Sequence, residues 1–460
     1  MSRFWQVDRF QNQTAIVLPD GQEYSYQHVQ QLINLIAKVL PEEKRLGIIF
    51  CQNQLADLIV YLAALQQGQA VCLLAGDMEQ SLRNHVIEAY QPNWLWQERS
   101  QPVPSGYTGS YQWNNYVMVV ANQTTFYPIH PELAVLLSTS GTTGSPKMVR
   151  LSYQNLQENA ASISEYLNIT AEERPVTTLP MQYSYGLSVI NSHFLTGATI
   201  LLNSHSIVSR DFWDFVKRQQ PSSWAGVPYS YQMLWKLRLP RMSIPSLRTM
   251  TQAGGRLDIA LQESYAAFAQ ATGRRFFVMY GQTEATARMS YVPPERLSDK
   301  LGSIGIAIPR GSFELAEDGE LIYSGSNVML GYAYTFDDLA KDDELQGRLL
   351  TGDLAQQDED GFWFITGRKK RFLKIFGLRI NLDEVERMLE QVCNHPVFCI
   401  GKDDYLVIVV TSRGNPEKIK QVMNAVYHLH HSSYTILPVE QVPYLISGKV
   451  DYGRLQEMLL

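Results

Sequence analysis

The chain has 460 residues, roughly three times an ordinary domain of ~150, so two or more lobes are expected rather than one rigid globule. Hydrophobic residues make up 45% and charged residues 18%, which leaves enough apolar surface for a core and excludes wholesale disorder. With 39 basic and 45 acidic side chains, the net charge of −6 excludes the broad basic surface that captures a nucleic-acid backbone.

The first expected strand covers 15–18, followed by the turn Pro19-Asp20-Gly21 and a helical pattern over 26–40. A strand at 46–50, a buried helix at 55–65 and a strand at 70–74 continue the alternation. A similar cycle runs through a strand at 198–202, a helix at 212–218 and a strand at 224–227. The apolar strand 276–279 then ends in Tyr280-Gly281. Such alternation predicts an α/β fold of layered, mostly parallel sheets and helices. After the Phe-Trp-Phe of 362–364, the run Gly367-Arg368-Lys369-Lys370-Arg371 changes the composition. The boundary is placed there, between a large N-terminal domain over 1–369 and a small α+β C-terminal domain over 370–460. Within the latter, helices at 383–391 and from 416 and strands near 396–400 and 406–411 are expected.

Cys51, Cys72, Cys393 and Cys399 follow no metal-ligand spacing and are too few to staple so long a chain, which fits reduced thiols in the cytoplasm. The start MSRFWQVDRFQNQ lacks the apolar stretch of a signal peptide. No apolar segment approaches the ~20 residues that cross a bilayer, so no membrane span is expected.

Four segments carry chemistry. Ser138-Thr139-Ser140-Gly141-Thr142-Thr143-Gly144-Ser145-Pro146-Lys147 is a loop of hydroxyls and glycines closed by a lysine. Its backbone N–H groups, hydroxyls and cation suit phosphate oxygens, although a solvated turn has the same composition. It is not a Walker A loop, because no glycine directly precedes the lysine and a strand pattern follows. Tyr280-Gly281-Gln282-Thr283-Glu284 places a ring, a hydroxyl and a carboxylate at one strand end, where open α/β sheets bind ligands. An ordinary helix start capped by Thr283 is the alternative. Asp353 and Arg368 flank the hairpin signal Asp360-Gly361, so they meet on neighbouring strands, either as ribose contacts or as a structural ion pair. Lys449, in Ile446-Ser447-Gly448-Lys449, is a cation on a small-residue loop near the end.

The order TSGTTGSPK, YGQTEA, TGD, GRKKRFLKIFGLRINLDEVE and ISGKVD resembles the adenylate-forming superfamily of acyl-coenzyme A synthetases, peptide-synthetase adenylation domains and luciferases. The resemblance spans the chain from Ala15 to its end. It implies an ATP- and Mg²⁺-dependent ligase that joins a small-molecule carboxylic acid to AMP. The acyl group then passes to a thiol, that of coenzyme A or of an acyl carrier protein's phosphopantetheine arm. Thr139, Ser140, Gly141, Thr142, Thr143, Gly144 and Lys147 would close over the phosphates. Tyr280 would stack on adenine with Gly281 beside it in the nucleotide site, Thr283 would contact the α-phosphate and Glu284 would hold Mg²⁺. Asp353 with Arg368 would hold the ribose, and Lys449 would bridge the carboxylate and the α-phosphate. Lys370 would be the hinge between two poses of the small domain, and in the second pose the Lys374 to Arg379 segment would face the thiol tunnel.

The acyl pocket of that family corresponds here to Tyr183, Tyr185, Gly226, Ala253, Gly254 and Gly255. Two departures stand out. Tyr183 replaces a histidine common in the family, and Tyr183-Ser184-Tyr185 offers no aspartate for a substrate ammonium. An acid without a neighbouring cation is therefore expected. Lys369, Lys370 and Arg371 are candidates for the phosphates of coenzyme A. His428 and His431 could share a helix face, but a surface position is the plainer reading. A catalytically degenerate ligand-binding member is the competing class, against which Lys449, Glu284 and Asp353 argue together.

Overall fold

The computed structural model describes residues 3–123, 125–138, 147–369, 371–375, 378–393, 395–402, 404–411, 416–427, 429–445 and 450–458. It divides into a larger unit of 1–312 and 323–349 and a smaller unit of 313–322 and 350–460. The boundary expected at 369/370 falls inside the smaller unit.

The larger unit is built on a nine-stranded and an eight-stranded sheet. In the first, Arg275–Tyr280, Thr249–Gln252, Ser223–Gly226, Pro175–Val176, Ile200–Leu201 and Thr14–Val17 run parallel in that spatial order. Antiparallel strands occupy its edges, including Ser290–Val292 beside Arg275–Tyr280. In the second, Leu133–Ser138, Ala70–Ala75, Leu46–Cys51 and Trp94–Glu98 form the parallel centre. The α/β class read from alternation is the class observed.

Local chemistry sets the element ends. The helix Leu55–Gln66 is apolar around its whole circumference, and every residue from Leu55 to Leu65 is buried, as the all-apolar run requires. Its one acid, Asp57, closes a capping box with Gln54. The helix expected over 26–40 stops at Ala37, since the N–H groups of Val39 and Leu40 both fall back on the Ile36 carbonyl ahead of Pro41. Val227, read as the last strand residue, instead caps the helix Pro228–Lys236, whose proline sits in the first turn.

In the smaller unit, Arg348–Gln357 pairs antiparallel with Trp363–Arg368, and Phe372–Ile375 with Leu378–Asn381. A three-stranded sheet of Val397–Lys402, Tyr405–Thr411 and Tyr434–Val439 shares one core with the helices Leu382–Cys393 and Pro416–Ala425. Among the described residues, no helix is long and apolar enough to cross a membrane. Cys51, Cys72 and Cys399 are buried thiols outside any disulfide.

Candidate functional site

Parallel strands Ser223–Gly226, Thr249–Gln252 and Arg275–Tyr280 end on the same side of their sheet, at Gly226, Gln252 and Tyr280. Beyond Tyr280 the chain turns through Gly281 into a single 3-10 turn, Thr283–Ala285, rather than the helix that was the alternative reading. A Cβ on Gly281 would lie 1.7 Å from the Ala287 carbonyl oxygen, so only glycine passes here. Thr286 holds φ at 65°, unusual for a β-branched residue. Its hydroxyl donates to the Asn327 carbonyl at 2.6 Å, and Asn327 Nδ2 donates to the carbonyls of Ala285 (2.8 Å) and Arg288 (3.2 Å). The strained turn is thereby clamped from outside.

On this turn, Thr283 Oγ1 lies 3.2 Å from Ser184 Oγ. The Tyr332 hydroxyl donates to Glu284 Oε1 at 3.0 Å, and Lys147 Nζ stands 3.5 Å from the centroid of the same ring. A cation, a phenol and a carboxylate are thus linked in series. Burial and the Glu284 charge raise the Tyr332 hydroxyl above its ordinary range, so it stays a donor. Gln282 Nε2 donates to the Tyr280 hydroxyl at 3.1 Å, which fixes the ring expected to stack on a base.

The residues expected to line an acyl pocket come together. Tyr185, Ala225, Val227 and Ala253 share one apolar cluster with Leu179 and Val189, and Tyr183 packs against it. The Tyr183 and Tyr185 rings meet edge to face at 6.3 Å. Tyr185 donates to Thr251, with its carbonyl at 2.9 Å. Burial pushes the Tyr183 hydroxyl up to about 12. Gly254 adopts φ +84°, and a Cβ there would come within 2.5 Å of that hydroxyl; one on Gly226 would meet the Tyr231 ring at 2.8 Å. Gly255 is less confined, its nearest neighbour being Pro228 at 3.3 Å.

In the smaller unit, Asp353 and Arg368 are directly paired across two strands, with Arg368 Nε donating to Asp353 Oδ1 at 3.2 Å. Asp353 is buried and Arg368 largely exposed. Of the basic run beyond them, the two described members are already paired. Lys369 pairs with Asp318 (2.6 Å) and Glu320 (2.7 Å), and Arg371 with Asp383 and Glu386. Coenzyme A phosphates would therefore have to compete with carboxylates at both positions.

Thr139, Ser140, Gly141, Thr142, Thr143, Gly144, Lys370, His428 and Lys449 lie outside the described residues. Three residues that sequence reasoning passed over belong to the region: Tyr332 on Glu284, Ser184 on Thr283, and Asn327 beneath the turn. Ser184 was inside a quoted segment; Tyr332 and Asn327 come from far along the chain and carry no local signal. Among the described residues, no three His, Cys, Asp or Glu side chains cluster as metal ligands.

The model of the AMP-binding enzyme family matches residues 4–333. A 2-succinylbenzoate–CoA ligase of Listeria innocua is 26% identical over 334 residues, 70% of either chain. A D-alanine–D-alanyl carrier protein ligase of Staphylococcus epidermidis is 22% identical over 483 aligned positions, covering 98% of this chain and 97% of its own. Among solved structures, the O-succinylbenzoate coenzyme A synthetase of Bacillus subtilis in complex with AMP has the same fold. Its TM-score is 0.78 at 20% identity, over 99% of this chain and 98% of that one.

Proposed function

Because the chain belongs to the family of AMP-binding enzymes, we propose that it activates a carboxylic acid with ATP, releases pyrophosphate, and passes the acyl group of the acyl-AMP to a thiol. Coenzyme A is the acceptor favoured here, in line with the Listeria innocua relative. A carrier protein's phosphopantetheine arm is the second reading, favoured by the full-length similarity to the Staphylococcus epidermidis ligase. The observation that carries the proposal is the clamped turn at 280–284, which presents a hydroxyl and a carboxylate at the carboxyl ends of parallel strands.

Thr283 orients the α-phosphate, with Ser184 holding its hydroxyl. Glu284 fits Mg²⁺: it offers hard carboxylate oxygens, and only the neutral Tyr332 hydroxyl engages it among the described residues. A bound Mg²⁺ would supply positive charge against the phosphates. Lys147 and the 139–144 loop add donors around the same phosphates. Lys449 brings the cation that lets an anionic carboxylate approach a polyanion. Asp353, beside Arg368, holds the ribose hydroxyls. The division of labour is assigned to a 1–369 domain and a 370–460 domain turning at Lys370 between the two half-reactions. A cytoplasmic setting belongs to the same proposal and is supported by the buried thiols of Cys51, Cys72 and Cys399.

ATP–pyrophosphate exchange with Mg²⁺, run over pooled fatty, aromatic, hydroxy and dicarboxylic acids, tests it. Exchange in one pool is expected. Its absence in all pools, from protein that still binds ATP, would favour the degenerate binding member. Lys449→Ala is expected to lower exchange by about 10²–10³-fold while thioester formation from supplied acyl-AMP persists. Equal loss in both steps would remove Lys449 from its role.

A further inference from the structure

Arg288 lies four residues beyond Glu284 and is only 2% exposed. A guanidinium carries five N–H donors and a charge that burial makes costly unless oxygens and an anion surround it. Arg288 has little of either. Nη1 donates to one neutral oxygen, the Tyr166 hydroxyl, at 3.1 Å, and faces the Met279 sulfur at 3.7 Å. The group lies 5.0 Å from the centroid of the Tyr185 ring. Nε has no hydrogen-bond partner, and among the described residues no Asp or Glu pairs with this arginine. Arg83 and Arg150 also leave Nε without a partner, but their remaining nitrogens meet more oxygens. Arg83 donates to Gln97 Oε1 at 2.9 Å and the Gly76 carbonyl at 3.5 Å over the Phe50 face, and Arg150 reaches four oxygens, one of them on Glu344.

A cavity of about 20 Å³ opens beside Arg288, bounded by Val189, His193, Trp224, Ala225 and Thr251. That space fits one water-sized oxygen. Val189 and Ala225 belong to the cluster that also holds Tyr185 and Ala253, so the cavity adjoins the acyl-pocket wall. Its other charged groups are already occupied. Glu173 accepts from Ser222 and pairs with Arg248 at 3.0 Å; Arg275 donates to the Leu167 carbonyl (2.9 Å) and Thr249 Oγ1 (2.7 Å). Burial lowers His193 to about 4, so it adds no charge near neutrality.

We infer that Arg288 is the receptor for a second carboxylate of the acid substrate, so that the enzyme takes a dicarboxylic acid and adenylates the carboxyl remote from Arg288. The inference rests on the acid-activating reading above. An incoming carboxylate that sets one oxygen in that space supplies a missing acceptor and the missing charge, whereas a monocarboxylic acid would leave Arg288 as it stands.

The test is exchange with matched acids: 2-succinylbenzoate against 4-oxo-4-phenylbutanoate, and adipate against hexanoate. The diacid of at least one pair is expected to exceed its partner by about 10²-fold in kcat/KM, the scale of a buried charged hydrogen bond. Arg288→Met should collapse that ratio to near one, and Arg288→Lys should recover part of it. Without any acid, Arg288→Met should also raise the melting temperature, because an unmatched buried charge has gone. Monoacid preference in the wild type, or equal loss of both acids together with a lowered melting temperature, would overturn the assignment in favour of a structural arginine. If no acid supports exchange, the acid-activating reading fails by itself. Calorimetric binding of the diacids to wild type and Arg288→Met then still decides the subsite: binding lost only in the variant supports it, and no binding to either protein overturns it.

Discussion

Arg150 and Arg288 are both buried in the larger unit, at 0% and 2% exposure, yet their sockets differ in kind. Arg150 donates to the carbonyls of Lys341 (2.5 Å), Leu330 (3.1 Å) and Asp342 (3.2 Å) and to Glu344 Oε2 (2.7 Å). The backbone makes room for this. Gly331, at φ +138°, leaves the space in which a Cβ would come within 2.0 Å of Glu344 Oε2 and 2.8 Å of Arg150 Nη2. Arg288 meets a phenol, a thioether and a ring face. Both leave Nε without a partner, but Arg150 meets four oxygens and Arg288 one, and that shortfall is the opening for a ligand at Arg288.

The largest effect that could break this contrast is the loss of Arg150. Arg150→Met should cost about 3–5 kcal/mol of stability, since it strands the Lys341 and Asp342 carbonyls in a buried socket, while the Leu330 carbonyl keeps the Glu344 N–H and Glu344 keeps solvent. Urea unfolding of the variant measures it. A cost below about 1 kcal/mol would mean that a furnished socket is no mark of a structural role, and the reading of Arg288 by contrast would lose its footing.

Both arginines also show where the sequence is legible. Alternating apolar runs were enough for the α/β class, because burial of one strand or one helix face is a local pattern. The strand ending at Tyr280 and the Asp353–Arg368 pairing were legible for the same reason: a turn signal and a strand length fix a register. The hairpin Tyr107–Trp113 with Tyr116–Ala121 was passed over, although Asn114-Asn115 marks its turn, because its first strand is mostly polar. Tyr332 on Glu284 and Tyr166 on Arg288 could not be read at all. Each is a meeting of residues 48 and 122 positions apart, and nothing within either segment announces the other. Arg288 itself, between a turn and a strand, was passed over.

Asp57 extends the contrast to a buried anion. Its Oδ2 accepts from the Gln52 and Gln54 N–H groups at 2.7 and 3.1 Å, while Oδ1 has no partner. Burial, partly offset by those two bonds, pushes the carboxyl up to about 7 from its usual 3.8. Between these values the folded state binds more protons than the unfolded one, so stability falls as pH rises from about 4 to about 7 and is level above. Asp57→Asn keeps an acceptor for the helix start and cannot titrate. The variant should therefore gain roughly 2 kcal/mol on the wild type between pH 5 and pH 8 in urea titrations. Parallel profiles would show that an orphaned buried oxygen costs this fold little, which would weaken the same argument for Arg288.

The smallest effect sharpens the comparison most. Glu344 is 46% exposed, so solvent screens its pairing with Arg150, and Glu344→Gln should cost no more than about 1 kcal/mol. A small cost would mean that the three carbonyls alone satisfy Arg150, so that what Arg288 lacks is oxygen acceptors of any kind. An amide or hydroxyl at the far end of the substrate would then serve there in part, and the diacid preference would sit near the low end of its range. A cost approaching that of Arg150→Met would instead make the formal anion the decisive partner. In that case the demand for a carboxylate at Arg288 becomes strict, because no neutral oxygen would cancel its charge.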